Sequence, residues 1–215
     1  MIKTFQEYRE EQYLEMAMQG LSNVALFNDA RLVGLYNADA MKIALEKGDW
    51  QEMMKTIVGA ASFRKNSIHN ANESTGIASQ HGYGPLLYLL LMHRSPNGLI
   101  PNRVAREINA DAKRVWQQFI EGAGKDLVTT EPLVATGDSP WKGEIAKHHK
   151  EPYLNLRFRL KAPLPGIKEA ELRNKNVIGW DQYGKKREKI AYVFTKYLDF
   201  ELGQVYPEVS EIMEI

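Results

Sequence analysis

The run Leu86-Leu87-Tyr88-Leu89-Leu90-Leu91-Met92 is apolar on every helical face, and Ser79-Gln80-His81-Gly82-Tyr83-Gly84-Pro85 leads straight into it. No other stretch constrains the fold as tightly. A helix without a polar face has to be enclosed by the rest of the chain. Ahead of it, two glycines one residue apart allow a tight turn and leave backbone N–H groups uncovered. Pro85 falls at the start of the helix, where there is no intrahelical N–H bond to lose. The first turn then presents unpaired donors and a partial positive charge, which suits a phosphate or pyrophosphate. The segment reads as an anion cradle carried by a buried helix. A tight loop that only steers the chain into its core helix is the alternative reading of the same glycines.

A chain of 215 residues, 44% of them hydrophobic, can enclose such a helix in one domain with an appendage. Basic and acidic residues number 28 and 27, a formal net charge of +1 that argues against a polyanion-binding protein. The absence of cysteine excludes disulfides, thiolate catalysis and zinc–cysteine sites. No run reaches the roughly 20 apolar residues of a membrane span. Met1-Ile2-Lys3-Thr4-Phe5-Gln6-Glu7 lacks the apolar centre of a signal peptide. The sequence reads as that of a soluble, intracellular protein.

Residues 1–60 read as helical. Thr4 and Glu7 have capping-box spacing, and Phe5, Tyr8, Tyr13 and Met16 form an apolar stripe. Asp39 is positioned to cap a second helix ending at Gly48. Asp49 and Glu52 open a third, carrying Trp50, Met53, Met54, Ile57 and Val58. The polar stretch from Arg64 to Gln80 reads as a loop or a short strand pair. After the Pro85 helix come a turn at Ser95-Pro96-Asn97-Gly98, a short strand at Leu99-Ile100, and a helix from Asn109 to Ile120 ended by Gly122-Ala123-Gly124. Thr129 to Glu151 reads as irregular. Tyr153 to Lys161 alternates as a strand, with Leu154, Leu156, Phe158 and Leu160 on one face, and Pro163, Pro165 and Gly166 stop it. A last strand is expected over Ala191 to Phe200. The class is α+β, with a helical N-terminal portion and a small sheet behind it.

In order, Gly82-Tyr83-Gly84, Pro85, Gly98-Leu99-Ile100, and then Asn109, Ala112, Val115, Trp116 and Phe119 resemble the cofactor-binding half of the GNAT-type N-acetyltransferases. In that family a strand runs into a glycine-rich turn, and the N-terminus of the next helix holds the coenzyme A pyrophosphate. Another strand and a helix bearing an Asn, an Ala and an aromatic pair follow. More narrowly, Gly82-Tyr83-Gly84-Pro85-Leu86-Leu87-Tyr88, followed by Asp111-Ala112-Lys113-Arg114-Val115-Trp116, is similar to the GNAT-like proteins of tailed bacteriophages.

The resemblance implies a divergent GNAT-like core, a small mixed sheet with flanking helices, over residues 63–215, and a helical N-terminal extension over residues 1–62. It implies acetyl-CoA (acetyl-coenzyme A) as cofactor. Gln80, Gly82, Tyr83, Gly84 and Pro85 would surround its pyrophosphate and Asn109 would contact its pantetheine arm. The implied activity is acyl-CoA-dependent N-acetyl transfer to an amine that the sequence leaves open. A non-catalytic virion or head-associated structural protein that keeps the fold is the alternative. Either reading implies the host cytoplasm or the phage virion as location, and other phage proteins or a homo-oligomer as partners. Neither involves a membrane or nucleic acid. Met1 to Tyr8 is similar to the short leaders that direct internal proteins into some phage heads, although a capped helix is the simpler reading of those residues.

Two positions depart from the family pattern. Ser79 stands where an Arg or Gln is usual, with Gln80 one place late. Trp116 lies near the place of the family's general-acid Tyr, and an indole N–H has no accessible pKa with which to protonate a thiolate. Tyr88 is the alternative proton donor. Glu73, His69 and His81 are candidates for the base that deprotonates the amine. The bland readings are packing for Tyr88, solvated loop positions for the three bases, and an N-cap for Asn109. Among His69, His81, His93, His148 and His149 no pair has the spacing of a helical zinc site, so no metal is expected. The basic groups at Lys142–Lys150, at Lys185–Lys189 and along Arg157, Arg159 and Lys161 read first as solvated faces. Trp116, Trp141 and Trp180 read as packing residues.

Overall fold

The computed structural model describes residues 19–80, 82–102, 108–122, 124–133, 151–179 and 183–205. The fold is mixed α/β, built on a seven-stranded mixed sheet. Residues 19–22 are helical, and a hairpin of β1 (Ala25–Asn28) and β2 (Leu32–Tyr36) follows. Helices α1 (Ala38–Lys47) and α2 (Trp50–Lys55) lead to the long strands β3 (Ile57–Asn66) and β4 (Ala71–Ser79). Then come α3 (Gly84–His93), β5 (Leu99–Ile100), α4 (Ala110–Glu121), β6 (Val128–Pro132), a 3-10 turn at Pro152–Asn155 and β7 (Leu156–Leu160). Helices α5 (Ile167–Ile178) and α6 (Tyr183–Val205) are the last described elements.

The strand order is β1-β2-β3-β4-β5-β7-β6. β4 and β5 run parallel, with Asn72 opposite Leu99 and Glu73 opposite Ile100. Parallel neighbours need a crossover, and α3 supplies it. The other described pairings are antiparallel. The chain divides into two compact units. Among the described residues, Phe63–Thr75 and those within Tyr88–Leu164 belong to the first, while residues 19–62, Gly76–Leu87 and those from Pro165 onward belong to the second.

The second unit has an apolar core in which Phe194 of α6 stacks on Phe27 at 5.5 Å and meets Tyr36 at 6.0 Å. Gly34 is required there, because a Cβ would stand 2.3 Å from the Phe194 ring. The Tyr36 hydroxyl donates to Asn174 Oδ1 at 2.7 Å, and burial pushes its pKa up, so it remains a donor. Arg173 of α5 donates to the carbonyls of Val24 and Leu21 and satisfies the chain just before β1.

The first unit closes around aromatic rings. Trp116 meets Tyr88 edge-on at 4.7 Å and Phe158 at 4.6 Å, and Phe119 completes the group. All of Leu86 to Met92 is buried, as a helix without a polar face requires. Each fully buried leucine contributes about 2 kcal/mol.

Several elements differ from the sequence expectation. The chain over residues 19–60 is not uniformly helical, since β1, β2 and the start of β3 lie within it. Ala25–Phe27 and Leu32–Tyr36 are buried on both faces, so no period-2 alternation marks them as strands. Ile57 and Val58 begin β3 instead of extending α2. Asn37 caps α1 in place of Asp39. Of the two readings of Arg64 to Gln80 the strand pair holds, although β3 and β4 are long, and β6 occupies the start of the stretch expected to be irregular. The strand expected from Tyr153 is shortened to Leu156–Leu160, with only Phe158 fully buried on its apolar face.

The expected strand over Ala191–Phe200 lies inside α6, where Ile190, Val193, Phe194, Tyr197 and Leu198 are buried at helical spacing. Helix α5 was not expected from the sequence. The Thr4–Glu7 capping box and the apolar stripe to Met16 lie outside the described residues.

Candidate functional site

The glycine turn is built from the end of β4. The Gln80 N–H donates to the Val58 carbonyl at 2.9 Å, and its side-chain Nε2 donates to the Ile57 carbonyl at 2.9 Å. These bonds anchor the turn to β3. The Tyr83 N–H then donates back to the Gln80 carbonyl at 3.2 Å. Gly82 sits in the third position with φ of +91°, the conformation that position takes in a type II turn. His81 lies outside the described residues.

Tyr83 is the cap of α3, since its carbonyl accepts the first helical bond, from the Leu87 N–H at 3.1 Å. Gly84 and Pro85 are therefore the first two helical residues, so Pro85 sits one position later than expected and still has no bond to lose. Among the described residues, the N–H groups of Gly84 and Leu86 have no acceptor.

The two glycines differ in what the fold asks of them. Gly82 needs its positive φ, and a Cβ there would meet nothing within 4 Å. Gly84 has no positive φ, and a Cβ there would meet only Ser79 Oγ at an ordinary 3.6 Å. Among the described residues neither backbone strain nor crowding calls for glycine at 84. Gly84 and Pro85 are half-buried and Leu86 is buried, so the start of α3 is only partly exposed. A helix start with unpaired N–H donors is electropositive and suits an anion.

The other expected site residues have different surroundings. Gln80, Gly82, Tyr83, Gly84 and Pro85 fall together in the second unit, while Glu73, Tyr88 and Asn109 belong to the first. Glu73 is 1% exposed, and its Oε2 accepts from Arg64 Nε, Arg64 Nη2 and Asn66 Nδ2, each at 3.1 Å. A carboxylate held by a guanidinium and an amide is a buried structural ion pair. Tyr88 is packed into the aromatic group around Trp116. Asn109 is the N-cap of α4, accepting from the Ala112 N–H at 2.8 Å. Buried His69 gives its carbonyl to Arg157 Nη2 at 2.5 Å.

The basic strand face is engaged as well. Arg159 donates to the Pro96 carbonyl at 2.9 Å and faces Glu131 at 3.4 Å, and Lys161 faces Asp126 at 3.9 Å. On α6, Arg187 pairs with Asp29 at 3.2 Å and lies over the Phe27 ring. Lys142–Lys150, with His148 and His149, and also Trp141 and Trp180, lie outside the described residues. Among the described residues no group of three or more His, Asp or Glu could hold a metal ion, and no helix is long and apolar enough to cross a membrane.

Sequence reasoning missed a groove of about 460 Å³ in the second unit, lined by α1, α2, the start of β3 and Gln80. Its residues are scattered from Asn37 to Gln80 with no common spacing, so only the fold brings them together. No protein-family model, curated protein or solved structure matches this chain.

Proposed function

We propose that the Gly82 turn and the first turn of α3 hold the pyrophosphate of an acyl-coenzyme A, in a GNAT-like protein of the tailed-phage type. The observation that carries this reading is the start of α3, where nothing among the described residues requires glycine at 84 and the Gly84 and Leu86 N–H groups have no acceptor. The succession of strand, glycine turn, helix, parallel strand and second helix supports it, being the order the resemblance implies. The amine acceptor is unspecified. Calorimetry with acetyl-coenzyme A tests the reading. Binding that is weakened at least about tenfold by Gly84→Val, with the fold intact by circular dichroism, is expected from covering two charge-assisted N–H donors. No heat and no thermal shift at millimolar ligand would sink it.

Within this family resemblance, a binding protein without turnover is the second reading, and the first unit favours it. Trp116 is buried where the resemblance implies a Tyr, Tyr88 is packed among rings, and the Glu73 carboxylate is tied to Arg64. None of the three is set up to pass a proton to or from a substrate. A non-catalytic phage structural protein predicts fixed stoichiometry in purified virions and no acetyl transfer to a panel of amines. Absence from virions counts against it.

A further inference from the structure

Strand β6 is the last in the sheet order and, among the described residues, pairs with β7 alone. Its hydrogen bonds fix which backbone groups point away from the sheet. The Lys161 N–H donates to the Leu127 carbonyl at 3.0 Å, and the Leu133 N–H donates to the Asn155 carbonyl at 2.8 Å. Residues bonded to an antiparallel neighbour alternate, so Thr129 and Glu131 face β7 between those two bonds. Val128, Thr130 and Pro132 turn their backbone groups outward, and among the described residues nothing pairs with them.

An open edge is commonly blunted by a bulge, a charge or a proline. β6 stays in register with β7 from Val128 to Pro132, so no bulge bends it away. Its one charge, Glu131, faces Arg159 at 3.4 Å. Pro132 removes a single donor, at the end of the row. What remains is a donor and an acceptor at Val128, a donor and an acceptor at Thr130, and an acceptor at Pro132.

That row is complementary to itself. Placed antiparallel to a second copy about a two-fold axis at Thr130, the two Thr130 residues exchange a pair of hydrogen bonds, and each Val128 N–H meets the Pro132 carbonyl of the other copy. The side chains agree. Val128 falls opposite Pro132, Thr130 opposite Thr130 and Glu131 opposite Thr129, so no like charges face each other. Moving the axis to Glu131 sets two carboxylates against each other and loses bonds, because Pro132 has no N–H. Moving it to Thr129 pairs only Val128 to Thr130, since the residues just before Val128 form a turn closed by Leu127 N–H to the Gly124 carbonyl.

We propose that β6 is a self-association edge, through which two copies of this chain join antiparallel about Thr130. The proposal goes beyond the coenzyme reading and does not depend on it.

Sedimentation of the full chain over a concentration series tests it, with a reversible dimer expected. Thr130→Pro removes the N–H on the axis and no bond to β7. It should weaken the dimer at least about tenfold with circular dichroism unchanged. The chain has no cysteine, so single cysteines read the register. Thr130→Cys should give a disulfide-linked dimer on oxidation, because hydrogen-bonded partners lie about 5.5 Å apart at Cα, within the reach of a disulfide. Thr129→Cys should not, since its two copies stand two positions out of register. If Thr130→Pro does not fold, the cysteine pair decides. A wild-type protein that stays monomeric throughout the series overturns the proposal. So does a folded Thr130→Pro variant that dimerises as well as wild type, or cross-linking at Thr129 rather than Thr130.

Discussion

Two turns bracket α3, and a glycine with the same positive φ has different surroundings in each. Gly82 and Gly98 both have φ of +91°, and each belongs to a turn closed by a backbone bond, Tyr83 N–H to Gln80 at 3.2 Å and Gly98 N–H to Ser95 at 2.7 Å. Gly98 is buried, and a Cβ there would stand 2.5 Å from Arg157 Cγ. Its turn is further fixed by Asn72, whose N–H donates to the Gly98 carbonyl and whose side chain donates to Ser95 Oγ. Gly82 is exposed, and a Cβ there would meet nothing within 4 Å among the described residues. One glycine is demanded by packing and conformation together, the other by conformation alone. The Gly98 turn is a packed structural corner, while the Gly82 turn is left accessible among the described residues.

The largest expected effect is at Gly98. Substitution to Ala adds overpacking against Arg157 to backbone strain and should cost about 3 kcal/mol in urea denaturation. A cost below about 1 kcal/mol would show that the corner yields and would blur the contrast. Gly82→Ala carries strain without a clash and should cost about 1–2 kcal/mol, with Gly82→Asn recovering part of it because Asn tolerates the left-handed region. Equal losses at the two sites would break the comparison.

Gly84→Ala should change stability by no more than about 0.5 kcal/mol, toward stabilisation, because Ala is the better helix former. A large loss of stability there would mean that the fold itself requires the glycine and would remove the main support for the cradle. The smallest effect is dynamic. In hydrogen exchange the bonded Gly98 amide should be slow, and the half-buried Gly84 amide, with no acceptor among the described residues, faster. Acetyl-coenzyme A should slow the Gly84 amide and leave Gly98 unchanged.

Much of this comparison was visible before the fold. The apolar run from Leu86 to Met92 could only be a buried helix, and it is. Asn109 and Asp49 were read as caps, and both accept from N–H groups two or three residues on. The Ser95–Gly98 turn and the Leu99–Ile100 strand also stand where the residues placed them. The period of α6 was present too, at Ile190, Val193, Phe194, Tyr197 and Leu198, but β-branched and aromatic residues in that stretch imitate a strand. Ala25–Phe27 and Leu32–Tyr36 carried no usable period at all, because both of their faces are covered. Of the candidate site, the glycine turn was legible as a feature. The engagement of Glu73 with Arg64 and Asn66 was not, since it depends on the pairing of neighbouring strands.

The sequence by itself determined the features whose causes lie within about four residues: the buried α3, its glycine turn, and the caps of α2 and α4. Their hydrogen bonds close locally, so local chemistry is enough. Only the tertiary structure decided which apolar runs became strands, which carboxylate was buried in an ion pair, and which glycine turn was left uncovered. Those outcomes depend on what packs against each segment, and the packing partners are dozens of residues away. Arg157 against Gly98, and no described atom within 4 Å of a Cβ at Gly82, separate two turns whose glycines share one φ.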